Sequence, residues 1–446
     1  MNPLSSSQNQ SILFEELEKL KNSFSFENKE IEKEFYKKNS YLFATTSASL
    51  FRLLPQIPYS KHKSIFEKLF FNLQLLNLEE KYVENFAENF EIIDTENSLN
   101  KAQQGQPFLF CCFHTGAYSI IPALLANNYL DFGFLSNKTL TEKKGTHFLE
   151  VHRNYCKKHN IKSTIQLINV EENKGIWKAI RMLKEGKSLI VYADGNTGSN
   201  YSKKESQNTV RVNFLGENLQ VRQGIAFLSY MCNIPIVSII SSRDFSKEKP
   251  NLKRKYTLLP AIYPPNFTDS KPKKDKISKE EFAEQTMQKL YFFLEKEITK
   301  EDKISEWEGW IFVNKFFEQL QKPISRANIK NSIKINTSLI DTKKAPYIFN
   351  EERFALIESA KNTLFDKFTY RFFPASDLLY EIITYFSVPK KLYLFDETQT
   401  DNEQLEKNSN SSIFIHSNSK LQLSKTIISV SILEKLIEKK ILIQYK

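Results

Sequence analysis

The sequence is poor in cysteine for its length, and several familiar site patterns are missing. Only four cysteines occur in 446 residues, and none has the CxxC spacing of a zinc or redox site. This scarcity favours a reduced, cytoplasmic protein without a disulfide framework. The Gly-x-Ser-x-Gly pattern of serine hydrolases and the P-loop are also missing. The histidines at 147, 152 and 159 are not four residues apart, so we predict no metal site.

The sequence also lacks a convincing membrane span. Residues 108–130 carry no formal charge over 23 positions, and a span needs about 20 apolar residues. His114, Gly116 and Pro122 interrupt this run, which therefore favours a buried strand, a turn and a helix. The amino terminus has neither a basic segment nor an apolar signal core. We expect a cytoplasmic protein, with peripheral contact at the inner membrane face as an alternative.

The formal charge is +11 and the isoelectric point is near 9.1, which suits a polyanionic partner. Nucleic acid, an anionic lipid surface and an acidic carrier protein all meet this description. Two segments are especially basic, 247–256 and 271–276. Charge alone does not choose among the partners, and lysine-rich loops often serve solubility alone.

Glycine is confined to the middle of the chain. All 11 glycines lie between residues 105 and 309, and tight turns between alternating strands and helices require glycine more than helical hairpins do. Short β-rich runs, among them 212–215, alternate there with helical stretches of about a dozen residues. We therefore predict an α/β domain over 93–320, with a largely parallel sheet and helices on both faces.

The two flanks differ from this centre. Residues 1–92 have apolar side chains at helical spacing and predict a helical region. Residues 321–344 are rich in Lys, Asn and Ser and predict a linker. Residues 345–446 predict a small α+β module, with a hairpin around 413–423, that could resemble a winged helix. Nucleic acid is a minor candidate partner, because only this last module would bind it.

Two polar side chains follow predicted strands of the central domain. His114 comes directly after the apolar strand 108–113, and Gly116 permits a turn there. Asp194 follows the strand 188–193. In a parallel sheet, ligands bind at the carboxyl ends of the strands. We therefore expect His114 and Asp194 to face a common crevice.

Residues 92–312 resemble the lipid A late acyltransferases, the lauroyl/myristoyl transferase family within the lysophospholipid acyltransferase group. The resemblance rests on the order and spacing of four segments. They are "ENSLNKAQQGQPFLFCCFHTGAYS", "LIVYADGNTGS", "VNFLGENLQVRQGIAFLSYMCNIPIVSIISSR" and "WEGW".

The resemblance implies an acyltransferase with His114 as general base on a hydroxyl or amine of the acceptor. The donor would be an acyl-carrier-protein (acyl-ACP) or coenzyme A (acyl-CoA) thioester, used as co-substrate without a separate cofactor. The acceptor would be a lipid or another amphiphile. Two alternatives stay open: a peptide or secondary-metabolite acceptor, and a catalytically degenerate scaffold that binds acyl chains or the carrier protein.

One position departs from the family pattern. The family has Asp or Glu five residues after the histidine, and this chain has Ser119. Asp194 could orient His114 from the second strand instead. Ser119 or Tyr118 could hold the ring through a neutral hydrogen bond, or the chemistry could be lost. Gly116 and Tyr118 are also candidate substrate contacts.

Further candidates lie in the matched segments. Backbone N–H groups around Gly195, Asn196 and Thr197 could stabilise the oxyanion of acyl transfer. Arg222, predicted at a helix start, and Arg243, predicted at a strand end, could each bind the phosphate of phosphopantetheine or an anionic acceptor. A structural ion pair is an equal interpretation for each arginine.

Overall fold

The structure is a computed structural model, and it describes most of the chain. The described residues are 6–26, 29–172, 174–195, 208–243, 253–267, 277–317, 346–357, 362–395, 412–416, 420–423 and 426–445. The predicted linker at 321–344 lies outside them.

The chain forms two compact units, and each is discontinuous in sequence. The first comprises Met1–Glu27 and Ser60–Lys322, and the second comprises Asn28–Tyr59 and Pro323–Lys446. The first 92 residues therefore contribute to both units. The domain boundaries drawn from the sequence stay a prediction.

The helices and strands are numbered here along the whole chain. The helices are α1 Ser6–Asn22, α2 Lys29–Lys38, α3 Ser40–Leu53, α4 Tyr59–Lys81, α5 Val83–Ala87, α6 Ser98–Gln103, α7 Ile121–Asn127, α8 Lys138–Lys158, α9 Gly175–Lys184, α10 Gly224–Cys232, α11 Lys279–Ile298, α12 Asp377–Tyr385 and α13 Val430–Glu438. The strands are β1 Phe90–Asp94, β2 Leu109–Cys112, β3 Phe132–Ser136, β4 Ile165–Asn169, β5 Ser188–Tyr192, β6 Thr209–Phe214, β7 Glu217–Arg222, β8 Ile236–Arg243, β9 Arg254–Leu258, β10 Tyr347–Phe349, β11 Phe354–Ile357, β12 Thr363–Asp366, β13 Arg371–Pro374, β14 Lys391–Phe395, β15 Ser412–His416, β16 Lys420–Leu423, β17 Thr426–Ser429 and β18 Leu442–Gln444.

A seven-stranded sheet forms the centre of the first unit. Its order is β1-β9-β8-β2-β5-β3-β4. Strands β8, β2, β5, β3 and β4 run parallel, whereas β9 and β1 run in the opposite direction. This arrangement confirms the predicted α/β class with a largely parallel sheet.

Both faces of this sheet are covered. Every residue of β2 and of β8 is buried, as expected for central strands packed on both sides. Leu13 of α1, Leu75 of α4 and Leu124 of α7 join Phe110 of β2 in one apolar core. The continuous apolar run of β2, which lacks polar alternation, is therefore explained by burial on two faces.

The uncharged run 108–130 is divided into a strand, a turn and a helix. Strand β2 ends at Cys112, and α7 begins at Ile121 with Pro122 in its first turn, where proline loses no helical hydrogen bond. In the part of the chain that the structure describes, every helix is too short or too polar to span a bilayer.

One predicted strand lies outside the main sheet. The run at 212–215 forms part of β6, which pairs antiparallel with β7 as a separate hairpin. Leu215 and Gly216 both have positive φ, so this two-residue connection has the left-handed backbone typical of tight hairpins. The apolar run predicted a strand correctly but carried no information about its partner.

The second unit is a small α+β module with its own core. Strands β11, β12 and β13 form an antiparallel sheet, and β15 pairs with β16 as the predicted hairpin. Helices α12 and α13 contribute Ile382 and Leu433 to the core. The rings of Phe51 and Phe368 lie 4.5 Å apart. The winged-helix comparison stays a prediction.

Candidate active site

The turn after β2 places His114 at the carboxyl edge of the sheet. Gly116 has a φ of +55°, and a Cβ on it would lie 2.5 Å from the carbonyl oxygen of Ser241 in β8. Only glycine tolerates both the left-handed backbone and this close approach. The turn is therefore fixed against a neighbouring strand, with the imidazole beyond the end of β2.

A distant segment closes on this turn. Thr115 forms an antiparallel bridge with Trp307. The backbone N–H of Glu308 donates to the carbonyl of His114 at 2.9 Å, and the N–H of Gly116 donates to the carbonyl of Glu306 at 3.1 Å. These contacts place the "WEGW" segment beside the histidine.

Asp194 follows β5 and contacts His114 directly. Its side chain is only 2% exposed, and the Nδ1 of His114 lies 2.8 Å from its Oδ1. The backbone N–H of His114 donates to both carboxylate oxygens, at 3.2 and 3.1 Å. The indole Nε1 of Trp307 donates to Oδ2 at 2.8 Å. The expected convergence of the two strand ends is present.

Aromatic rings surround the imidazole. The ring centroids of Tyr118, Tyr192 and Phe312 lie 4.7, 4.9 and 6.5 Å from that of His114. The hydroxyl of Tyr192 donates to the carbonyl of Tyr118 at 2.7 Å, which ties two of these rings together. The side chain of His114 is still 22% exposed, so a substrate can reach it.

The surroundings of His114 have opposing effects on its pKa. Burial disfavours the imidazolium, but the charge and hydrogen bond of Asp194 and the charge of Glu308 favour it more strongly. The net result is a raised pKa. Asp194 therefore both orients the ring and stabilises its cation, as in a His–Asp pair.

Ser119 does not hold the histidine ring. Its Oγ is buried and has no hydrogen-bond partner among the described residues. Tyr118 contacts the imidazole ring, but its hydroxyl donates to Oε2 of Glu308 at 2.6 Å. Burial, with the charge of Glu308, raises the pKa of Tyr118 well above its ordinary value. The partner on Nδ1 is thus a carboxylate, Asp194, in preference to either neutral hydroxyl.

Arg243 forms a buried ion pair with two carboxylates. It is buried at the end of β8, where its Nε and Nη2 donate to Glu79, both at 2.8 Å, and its Nη1 donates to Glu306 at 3.2 Å. Arg254 also donates to Glu79, at 2.6 Å. Burial would raise the pKa of Glu79, but the two guanidinium groups lower it overall. These contacts are the structural ion pair that the sequence left open for Arg243, and a substrate-binding role for this residue stays a prediction.

The other predicted contacts have different outcomes. Arg222 is exposed at the end of β7, in the hairpin, and not at a helix start, because α10 begins two residues later. Gly195 follows Asp194 and is half-buried. Asn196 and Thr197 lie outside the described residues. A role for Arg222, Gly195, Asn196 or Thr197 in substrate binding stays a prediction.

Two residues of the site, Trp307 and Glu308, have no role that the sequence predicts. Trp307 binds Asp194 and Glu308 binds Tyr118. The resemblance gives the "WEGW" segment no role beyond the end of the region 92–312. The only signal in the sequence is the pair itself, an indole N–H and a carboxylate in adjacent positions of "WEGW". Their partners lie 113 and 190 residues away in sequence, so only the fold brings them together.

The chemistry available here is proton transfer. Nδ1 is held by Asp194, which leaves Nε2 as the ring nitrogen for a substrate proton. Within the described residues, no group of three or more His, Cys, Asp or Glu side chains could hold a metal ion. A positioned base beside a buried carboxylate suits activation of a hydroxyl or amine.

A match to a known protein family agrees with this chemistry. Residues 71–311 match the model of the bacterial lipid A biosynthesis acyltransferase family. A solved structure similar to the chain is the 1-acyl-sn-glycerophosphate (LPA) acyltransferase PlsC from Thermotoga maritima. It is 13% identical, with 58% of this chain and 97% of that chain covered and a TM-score of 0.27. No curated protein matches the sequence. The family match spans more than half of the 446 residues, and the chain therefore belongs to the bacterial lipid A biosynthesis acyltransferase family and is an acyltransferase.

Proposed function

We propose that the protein transfers a fatty acyl group from a thioester to a hydroxyl or amine of a lipid acceptor, with His114 as general base. The observation that carries this proposal is the 2.8 Å contact between Nδ1 of His114 and the buried carboxylate of Asp194. The remaining nitrogen, Nε2, belongs to a side chain that is partly exposed. The family supports acyl transfer as the reaction.

The reaction needs no covalent enzyme intermediate. Nε2 of His114 accepts the proton of the acceptor hydroxyl or amine while that oxygen or nitrogen attacks the thioester carbonyl carbon. Asp194 stabilises the imidazolium that forms. The tetrahedral intermediate then expels the thiolate, which takes the proton from Nε2. The products are the acylated acceptor and the free thiol, and His114 is neutral again.

The donor in this proposal is an acyl-ACP or acyl-CoA thioester, and no separate cofactor is required. The basic character of the chain, +11 overall, suits either donor, because the phosphopantetheine arm and an acidic carrier are both anionic. Arg222 is the proposed phosphate contact, since its side chain is exposed. The N–H groups at Gly195, Asn196 and Thr197 are the proposed oxyanion donors.

A noncatalytic scaffold is less well supported than an enzyme. That alternative is favoured when His114 and Asp194 lie apart, and here they are in hydrogen-bond contact. No observation favours a peptide or secondary metabolite over a lipid acceptor. These acceptors are therefore included as arms of the assay below.

The proposed place of action is the cytoplasmic face of the inner membrane, with peripheral contact. All four cysteines are free thiols, which suits a reducing compartment. Trp177 is 69% exposed at the start of α9, where exposed Lys174 and Lys178 flank it. Tryptophan beside lysine suits an anionic lipid surface. Most of the basic runs 247–256 and 271–276 lies outside the described residues.

Vesicle flotation tests this contact. The protein should float with vesicles of phosphatidylglycerol and phosphatidylcholine at low salt and not with phosphatidylcholine alone. Trp177→Ala should reduce the floating fraction. Equal flotation of the protein with both vesicle types would contradict an electrostatic contact.

The activity itself is tested with labelled donors. The purified protein and His114→Ala are incubated with acyl-ACP and acyl-CoA, and with fractionated lipid, peptide and metabolite extracts. Acylated products are followed by mass. We expect a lipid product that needs His114. Absence of product from all donor and acceptor combinations would refute the proposal, and a peptide product would replace the acceptor class.

A further inference from the structure

The candidate site contains a second carboxylate that the mechanism above does not use. Glu308 is half-buried in the short helix Glu308–Ile311. Its backbone N–H donates to the carbonyl of His114 at 2.9 Å. Its Oε2 accepts a hydrogen bond from the hydroxyl of Tyr118 at 2.6 Å. Both ends of this residue are therefore tied to the segment that carries the histidine.

Tyr118 connects this carboxylate to the imidazole. Its ring centroid lies 4.7 Å from that of His114, with an interplanar angle of 74°. The ring is kept in place from two sides, because Tyr192 donates to its backbone carbonyl and Glu308 accepts from its hydroxyl. A tyrosine held at both its backbone and its hydroxyl has few alternative rotamers. It therefore packs as a fixed wall beside the imidazole.

Among the described residues, titratable groups face His114 from three segments around it. Asp194 lies after β5 and binds Nδ1, and Tyr192 at the end of β5 contributes a ring. Tyr118 comes from the turn before α7, and Glu308 comes from the closing segment. The charges of Asp194 and Glu308 both favour the imidazolium. Burial opposes the imidazolium, and the negative charge of Glu308 adds to that of Asp194 in raising the pKa of His114.

We propose that Glu308 is a positioning residue that acts through Tyr118 to stabilise the protonated form of His114. Its negative charge comes from the segment that closes on the histidine turn, 190 residues after Tyr118 in the chain. Asp194 orients the ring through Nδ1. Glu308 holds the ring of Tyr118 in place, and its charge favours the imidazolium in addition to that of Asp194.

This proposal rests on the proposed function only for its catalytic consequence. As a general base, His114 must be neutral before it accepts the substrate proton, and activity therefore rises with pH through its pKa. Removal of the Glu308 charge lowers that pKa, so the rise moves to lower pH. The same change destabilises the imidazolium formed during the reaction. The maximal rate therefore falls even though the base is available at lower pH.

The test uses Glu308→Gln, Tyr118→Phe and the double variant in the full-length protein. Glutamine keeps an acceptor for the tyrosine hydroxyl but removes the charge. We expect kcat to fall about tenfold in Glu308→Gln, the scale of exchanging a charge-assisted hydrogen bond for a neutral one. The pH profile should shift to lower pH. Because both residues act as one unit, the double variant should lose little more than either single variant.

A matched control removes a carboxylate with no link to the site. Glu301 is 91% exposed and pairs with Lys61 at 3.5 Å. Glu301→Gln changes the net charge by the same amount as Glu308→Gln. It should leave both kcat and the pH profile as in the parent protein. A shift of equal size in both variants would attribute the effect to net charge and overturn the role of Glu308.

A titration independent of activity separates the two proposals. The chain has six histidines, so the imidazole signal of His114 can be assigned in an NMR spectrum by its loss in His114→Ala. We expect the pKa of His114 to fall in Glu308→Gln and to stay unchanged in Glu301→Gln. An unchanged His114 pKa in Glu308→Gln overturns the inference. A lowered pKa with unchanged kcat in an active enzyme also overturns the positioning role.

Failure of the proposed function gives a different pattern. If the parent protein transfers no acyl group, or if His114→Ala is fully active, the general-base assignment falls. The titration still measures whether Glu308 and Tyr118 stabilise the protonated ring. A Glu308-dependent pKa then supports the electrostatic link, and an independent pKa rejects it.

Discussion

Two charged clusters lie near the carboxyl edge of the same sheet, and they serve different purposes. His114 and Asp194 follow β2 and β5, whereas Arg243 ends β8, the neighbour of β2 on the other side. Both clusters contain a cation-forming side chain beside a buried carboxylate. The side chain of His114 is 22% exposed, and that of Arg243 is 1% exposed.

The difference lies in how many hydrogen-bonding groups are already occupied. Arg243 directs three of its side-chain nitrogens to carboxylates of Glu79 and Glu306. His114 uses only Nδ1 for Asp194 and has Nε2 at a partly exposed position. A saturated buried ion pair maintains the fold, because breaking it leaves an uncompensated charge. A half-occupied ring can exchange a proton with a substrate.

The largest expected effect is on activity, from Asp194→Asn. The amide cannot stabilise the imidazolium and can favour the wrong tautomer, so kcat/KM should fall by about 10²–10⁴. Circular dichroism and thermal unfolding should change little. Asp302→Asn is the control. The side chain of Asp302 is 73% exposed, and its ion pair is with the adjacent Lys303, away from His114. Normal turnover of Asp194→Asn would reject the His–Asp pair.

Glu79→Gln should have the opposite signature, a large loss of stability. Two buried guanidinium groups would lose their shared carboxylate, and breaking a buried pair costs about 3–5 kcal/mol. Denaturant unfolding measures this loss. Glu15→Gln, which breaks the exposed pair with Lys19, should cost less than about 1 kcal/mol.

The specific activities of Glu79→Gln and Asp194→Asn are compared after normalisation to the amount of folded protein. Glu79→Gln should then retain most of its specific activity. A specific loss as large as that of Asp194→Asn would place Glu79 in the site and remove the distinction between the clusters.

The sequence predicts the frame of the site well, for a physical reason. Uninterrupted apolar runs such as that around β2 identify strands buried on two faces, and parallel strands must end at one edge. The meeting of His114 and Asp194 follows from that topology. It does not depend on their separation of 80 residues in the chain.

The sequence is less informative about which polar group binds which. Arg243 and His114 both follow apolar strands, and only the fold shows that Glu79 of α4 reaches the arginine. The indole of Trp307 likewise reaches Asp194 through a long-range contact. Such partners depend on how distant elements pack, and residue spacing within one segment cannot determine them.

A smaller effect is expected from Trp307→Phe. It keeps an aromatic ring but removes the N–H that donates to Oδ2 of Asp194. Loss of a hydrogen bond to a charged group costs about 1.5–3 kcal/mol, so kcat should fall about tenfold or more. Trp310→Phe is the control, because its Nε1 donates to the backbone carbonyl of Ile304 and not to the site.

The two tryptophan variants separate packing from positioning. Their rings are neighbours, with centroids 4.8 Å apart, and both are buried, so their effects on thermal unfolding should be similar. Only Trp307→Phe should lower kcat. Equal loss of activity in both would show that the indole acts through packing alone.

The smallest expected effect is from Ser119→Ala, at the position where the family has an acid. In the part of the chain that the structure describes, the buried Oγ has no hydrogen-bond partner, and Asp194 already occupies Nδ1 of His114. Activity should therefore stay within about twofold, and stability should be unchanged or slightly higher, because a buried hydroxyl without a partner is unfavourable. Parallel kinetics and thermal unfolding of Ser119→Ala and the parent protein measure both effects. A tenfold loss of kcat in a well-folded Ser119→Ala would mean that the hydroxyl contacts the ring during the reaction. Ser119 would then orient His114 together with Asp194.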